Sequence, residues 1–162
     1  DDEKWTAPDR WTNDYLRRTA GDELLDVEVR ESAAAPFGRG REVPMRLSEF
    51  LDRLEDGNDR HYLTTQNVRA DVGGRPELMA PFLQRLAGDF PLRPALAGHL
   101  VPQNVNLWMG HNVDGSSSGL HHDYHDNLYL VLRGTKKFRV YAPQDAPRVY
   151  TRGALARIHP NG

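Results

Sequence analysis

Apolar positions recur along this chain in different rhythms, and each rhythm predicts a different element. Leu25, Val27 and Val29 alternate with Asp26, Glu28 and Arg30, the period of two that marks a half-buried strand. Ahead of it, Thr12 can cap a short helix through Asp14, Tyr15, Leu16 and Arg17, which Gly21 ends. Residues 1–9 are polar and are expected to pack poorly apart from Trp5. Small residues, Pro36 and two glycines make 32–41 a loop, read first as a surface connection and second as a lid over a substrate. Ser48 stands as an N-cap for a segment whose apolar face is Phe50, Leu51 and Leu54 and which Gly57 stops. A short strand follows at 61–65. Leu78, Met79, Phe82, Leu83 and Leu86 then recur at helical spacing as a core stripe, with Pro81 expected to kink or split the element. Prolines make 90–102 an irregular connection to a strand at 105–109. Beyond it, apolar runs at 128–132 and 138–141, joined through Gly134-Thr135, read as a β-hairpin.

The chemistry is concentrated just before that hairpin, in Ser118-Gly119-Leu120-His121-His122-Asp123-Tyr124-His125-Asp126-Asn127. On an extended strand the spacing of His121 and Asp123 puts an imidazole and a carboxylate on one face, where both can reach a single ion. Such a pair is two thirds of the two-histidine, one-carboxylate set of non-haem Fe(II) centres. By the same parity His122 and Tyr124 fall on the opposite face, and Trp108 and Met109 read as core.

Five blocks in order carry a resemblance: Asn106-Leu107-Trp108-Met109-Gly110, Leu120-His121-His122-Asp123, Asp126-Asn127-Leu128, Gly134-Thr135-Lys136-Lys137-Phe138 and Tyr141-Ala142-Pro143. In order and spacing they resemble the metal-binding half of the JmjC or cupin-like Fe(II)- and 2-oxoglutarate-dependent oxygenases. The resemblance implies a mainly β fold with N-terminal helices (α+β), a double-stranded β-helix of the jelly-roll type. It implies one domain over 1–162, helical to about residue 100, with the first barrel strands at about 101–162 and the later ones missing. It implies Fe(II) held by His121 and Asp123, with a second histidine expected past Gly162 in preference to His125 or His159. It also implies 2-oxoglutarate as cosubstrate, its far carboxylate on Lys136, with Tyr62, Ser118 and Asn127 helping to hold it. On the residues alone, Lys136 also reads as an exposed strand-end lysine, Tyr62 as an ordinary strand aromatic, Ser118 as a turn residue and Asn127 as the cap of its own loop.

The implied reaction is oxidation of a C–H bond coupled to decarboxylation of 2-oxoglutarate, with hydroxylation of a protein or peptide side chain as the leading expectation. N-methyl-lysine demethylation is the first alternative, and a scaffold with the same shape and no catalysis is the second. Absence of cysteine removes disulfides and the zinc-binding thiolates that often accompany demethylases. Twenty-one Lys and Arg against 23 Asp and Glu leave a net charge of −2, so no basic footprint argues for nucleic acid. No apolar run approaches a membrane span, and no leader pattern is seen, so a cytoplasmic or nuclear location is expected. The chain does not open on Met and reads as a piece of a longer one.

Overall fold

A computed structural model describes residues 4–35, 37–65, 68–112, 116–123 and 125–150. Its elements are α1 (Ala7–Arg10), α2 (Asn13–Ala20), β1 (Leu24–Val29), β2 (Arg41–Arg46), α3 (Leu47–Glu55), β3 (His61–Thr64), α4 (Pro81–Leu86) and β4 (Trp108–Gly110), with short 3₁₀ turns later in the chain. The strands form one antiparallel sheet in the order β2-β1-β3-β4. Among the described residues no helix is long and apolar enough to cross a membrane.

Alternation in β1 sorts the sheet into two faces. Leu25 and Val27 point to one side, and with Met45 and Leu63 they bury against Leu16 and Ala20 of α2, Phe50 and Leu51 of α3, and Phe82, Leu83 and Leu86 of α4. The hydroxyl of Thr12 accepts from the Tyr15 amide, which is the cap expected for α2. The buried carboxylate of Asp89 gathers the Trp11 indole N–H (2.9 Å), the Tyr15 hydroxyl (2.7 Å) and the Arg10 guanidinium (2.7 Å). That network fixes α1 and α2 to the turn after α4, and Ala7 is buried with them, so the N-terminal segment packs better than its polar composition suggests.

Several expectations need correction. Strand β2 was not read from the sequence, because only Val43 and Met45 alternate inward and Pro44 stands between them; proline is tolerated since β2 lies on the sheet edge. Helix α3 starts at Leu47 with Arg46 at its N-cap, which places Ser48 inside the first turn instead of at the cap. Pro81 opens α4 and does not kink it, because proline fits the first helical position, where its missing N–H is not needed. Met79 is instead paired with Val105 in an isolated bridge, and the strand expected at 105–109 is realised as Trp108–Gly110.

The largest departure is the hairpin. Among the described residues of 128–141 there is no strand, and Leu128, Tyr129, Leu130 and Val131 stand about half exposed. Runs apolar on both faces need sheet partners on both edges and packing on both sides, which the described residues do not provide. The two runs do approach each other, with the Tyr129 and Phe138 rings in edge contact at 5.0 Å. Arg133 ties their turn to the Asn13 side chain (2.8 Å) and the Trp11 carbonyl, and Leu132 reaches the core.

Candidate functional site

His121 and Asp123 are brought together without a strand to do it. The Nδ1–H of His121 donates to the Gly119 carbonyl (3.0 Å), and Gly119 takes φ +78, a left-handed conformation that favours glycine. This bond commits Nδ1 and leaves Nε2 the nitrogen turned outward, as in the second-nitrogen hydrogen bonds usual for metal-bound histidines. On the other side, the Asn127 amide donates to Oδ2 of Asp123 (2.7 Å), which leaves Oδ1 free to turn toward the imidazole. The two uncommitted atoms, Nε2 and Oδ1, lie 3.9 Å apart.

That spacing fits two ligands of one first-row ion, since bonds of about 2.0 to 2.2 Å from N and O donors allow a separation up to about 4.2 Å. Both side chains are half exposed, at 50% and 59%, so a small rotation can bring them to adjacent coordination positions. Among the described residues no three His, Cys, Asp or Glu converge in a way that could hold an ion. His125 is exposed and does not complete a set. Tyr124 and His159 lie outside the described residues.

The other expected site residues are spread over the molecule. Ser118 is exposed, in the segment leading to His121. Asn127, expected at the cosubstrate, is seen on the carboxylate of Asp123. Lys136 is exposed, with its ammonium 5.8 Å from the centre of the Phe138 ring. Tyr62 sits in β3, buried, directly across from Glu28 in β1 and Gly110 in β4, and so on the face of the sheet away from the helical core. Burial, then the neighbouring Tyr129 phenol, pushes the Tyr62 hydroxyl up to about 12 against the opposing effect of Arg30, which keeps it a hydrogen-bond donor at neutral pH. The structure thus gathers His121, Asp123 and Asn127 into one cluster and sets Tyr129 of the following segment near Tyr62.

Two residues around Tyr62 were not singled out by pattern. Arg30 is fully buried, with its guanidinium 4.6 Å from the Phe37 ring centre and 5.9 Å from that of Tyr62. Phe37 lies on Tyr62 at 4.8 Å between ring centres. The segment 31–40 therefore folds over the sheet and is more than a surface connection. The signal that could have found it was the parity of Arg30, which continues the Asp26, Glu28 face of β1 into the same side as Tyr62.

Comparison with known proteins agrees over nearly the whole chain. A family model described as a cupin-like domain matches residues 2–161. JmjC domain-containing protein 4 of Schizosaccharomyces pombe is 40% identical over 159 residues, covering 92% of this chain and 33% of that protein. The human protein named bifunctional peptidase and (3S)-lysyl hydroxylase JMJD7 is 31% identical over 149 residues, 88% of this chain and 46% of its own length. Lysine-specific demethylase JMJ30 of Arabidopsis thaliana is 27% identical over 143 residues, 85% of this chain and 30% of that one. The chain spans a third to about half the length of these curated relatives. No solved structure matches.

Proposed function

Because this chain belongs to the cupin-like domain family, with JmjC proteins among its relatives, we propose that it is part of an Fe(II)- and 2-oxoglutarate-dependent oxygenase acting on a protein or peptide side chain. Membership carries the fold class with it, a mainly β jelly roll of the cupin type with added helices, here seen as four antiparallel strands and the helices packed on one face. The observation that carries the functional reading is the facing pair, Nε2 of His121 and Oδ1 of Asp123, each with its other polar atom already committed. A structural turn would not need an imidazole and a carboxylate held in this way.

In this reading His121 and Asp123 take two positions on the ion, and a donor outside the described residues takes the third. The chemistry that bound Fe(II) supplies is the splitting of dioxygen, one atom going to succinate as 2-oxoglutarate loses CO2 and the other into a substrate C–H bond. Asn127 holds the Asp123 carboxylate in its ligating rotamer. Lys136 provides the cation for the far carboxylate of the cosubstrate, the Tyr62 hydroxyl donates to that carboxylate, and Ser118 adds a hydroxyl from the segment before the metal pair.

Hydroxylation is preferred to demethylation because a relative covered over 88% of this chain is named a lysyl hydroxylase, although demethylases also stand among the relatives. The test is incubation of the intact protein with Fe(II), oxygen, 2-oxoglutarate and lysine-containing peptides, unmodified or N-methylated. Succinate with a peptide that gains one oxygen supports the proposal, whereas formaldehyde release from the methylated peptide supports the demethylase. No consumption of 2-oxoglutarate under any of these conditions supports the scaffold.

A further inference from the structure

A guanidinium buried with no carboxylate beside it is expensive, since the loss of hydration is not returned by an opposite charge. Arg30, 1% exposed, is in that position. Its Nη1 donates to the carbonyls of Ala33 (3.1 Å) and Ala35 (3.5 Å) and its Nη2 to that of Asp59 (2.8 Å), while its Nε is buried with no hydrogen-bond partner. Among the described residues it forms no ion pair. Glu28, across the sheet from Tyr62, has Oε1 engaged by the Gly40 amide (2.7 Å). An apolar side chain would fill the same space at less cost, so a charge held here, unpaired among the described residues, favours a negative group nearby.

The surroundings say where. The Arg30 guanidinium lies over the Phe37 ring, the Phe37 ring packs at a tilt of 59° against Tyr62, and Tyr62 lies against the backbone of Gly110, where any Cβ would overlap the Tyr62 ring and stand 3.0 Å from the His61 carbonyl oxygen. The phenol is therefore bounded by a tilted ring, a bare strand edge and a positive charge.

We propose that Arg30 and Phe37 are positioning residues for Tyr62, which orient its hydroxyl and place a positive charge behind it, so that the site receives the far carboxylate of a 2-oxo diacid. The inference rests on the reading of Tyr62 given above. Arg30 acts through Tyr62 and through its field; it is not a catalytic residue.

The experiment measures succinate formation by the intact protein over a range of 2-oxoglutarate concentrations, with thermal melting to confirm that each variant is folded. A hydroxyl donating to a carboxylate is a charge-assisted bond, so Tyr62→Phe should raise KM for 2-oxoglutarate by about tenfold or more. Arg30→Met should raise KM by roughly fivefold, Arg30→Lys by less because the charge remains, and Phe37→Leu by about threefold, all with kcat changed by less than about twofold. If Phe37 acts through the phenol, adding Phe37→Leu to Tyr62→Phe raises KM no further. A raised KM in Tyr62→Phe with KM unchanged in Arg30→Met and Phe37→Leu overturns the inference and leaves the role of Tyr62 standing. Unchanged KM in Tyr62→Phe overturns that role itself and the inference with it. Should Arg30→Met fail to fold, the single and double variants of Phe37 decide alone.

Discussion

Asp89 illustrates how one side chain can fix the placement of two helices. Its carboxylate is buried, which by itself raises its pKa, yet the donors on it, Tyr15 and Trp11 with the Arg10 charge and Thr6, outweigh burial and hold it below the ordinary carboxylate value. A folded pKa below the unfolded one means that the network's stabilisation is fully present above about pH 4, the unfolded value, and is lost as pH falls through the folded value. Asp89→Ala leaves the buried Trp11 N–H and the part-buried Tyr15 hydroxyl unanswered and should cost roughly 3 kcal/mol, with a fall in Tm on the order of 10 °C. Asp89→Asn, which keeps an acceptor, should cost less and flatten the acid limb of a stability-against-pH curve measured by denaturant melts. An unchanged acid limb in that variant would remove Asp89 from the account. None of this was legible in sequence, because the donors stand 74 to 83 residues before the acceptor and share no pattern with it. His121 and Asp123 could be singled out because their chemistry and spacing are local, but what brings them together is the bond of His121 to the Gly119 carbonyl and of Asn127 to Asp123, not the strand expected of them.

At the scale of elements, period-two alternation found β1 and the Thr12 cap found α2, because each is decided by residues within a few positions. The edge strand β2, paired with β1 from Leu24↔Arg46 to Val29↔Arg41, was missed since its alternation is short, with only Val43 and Met45 apolar and Pro44 between them. The runs at 128–132 and 138–141 have a stronger strand signal than β2, and still carry no ladder, because strands of that kind are stabilised by neighbours on both sides. In the 162-residue chain, hydrogen exchange should therefore be slow for β1 amides and fast for those of 128–132 and 138–141. Slow exchange in the latter would mean that this segment has pairing that the structure does not show. Gly110→Ala should destabilise by about 1 to 3 kcal/mol, because the added Cβ meets the Tyr62 ring and the His61 carbonyl, and a strand backbone cannot yield as a flexible side chain can. A neutral result by thermal melting would show that β4 is free to move away from Tyr62.

For the molecule as a whole, the sheet divides the work. One face is bound to α2, α3 and α4 and supplies stability, and the other, with Glu28, Arg30 and Tyr62, is covered by 31–40 and approached by Tyr129 from the segment that follows the metal pair. The described residues place His121 and Asp123 side by side and bring no third such donor to them, so the 162-residue chain alone should bind Fe(II) or Mn(II) weakly in a calorimetric titration. Tight binding of one ion per chain would show that His125, His159 or another residue of this chain completes the set.

The claim on which the account turns is that His121 and Asp123 hold the iron at which 2-oxoglutarate is consumed. It is tested most directly by succinate formation in the intact protein, wild type against His121→Ala and Asp123→Ala, with Fe(II) and oxygen supplied. The account requires succinate from the wild type and its loss in both variants while their melting temperatures stay near that of the wild type, since both side chains are half exposed and outside the core. Succinate formed at the wild-type rate by either variant would contradict it.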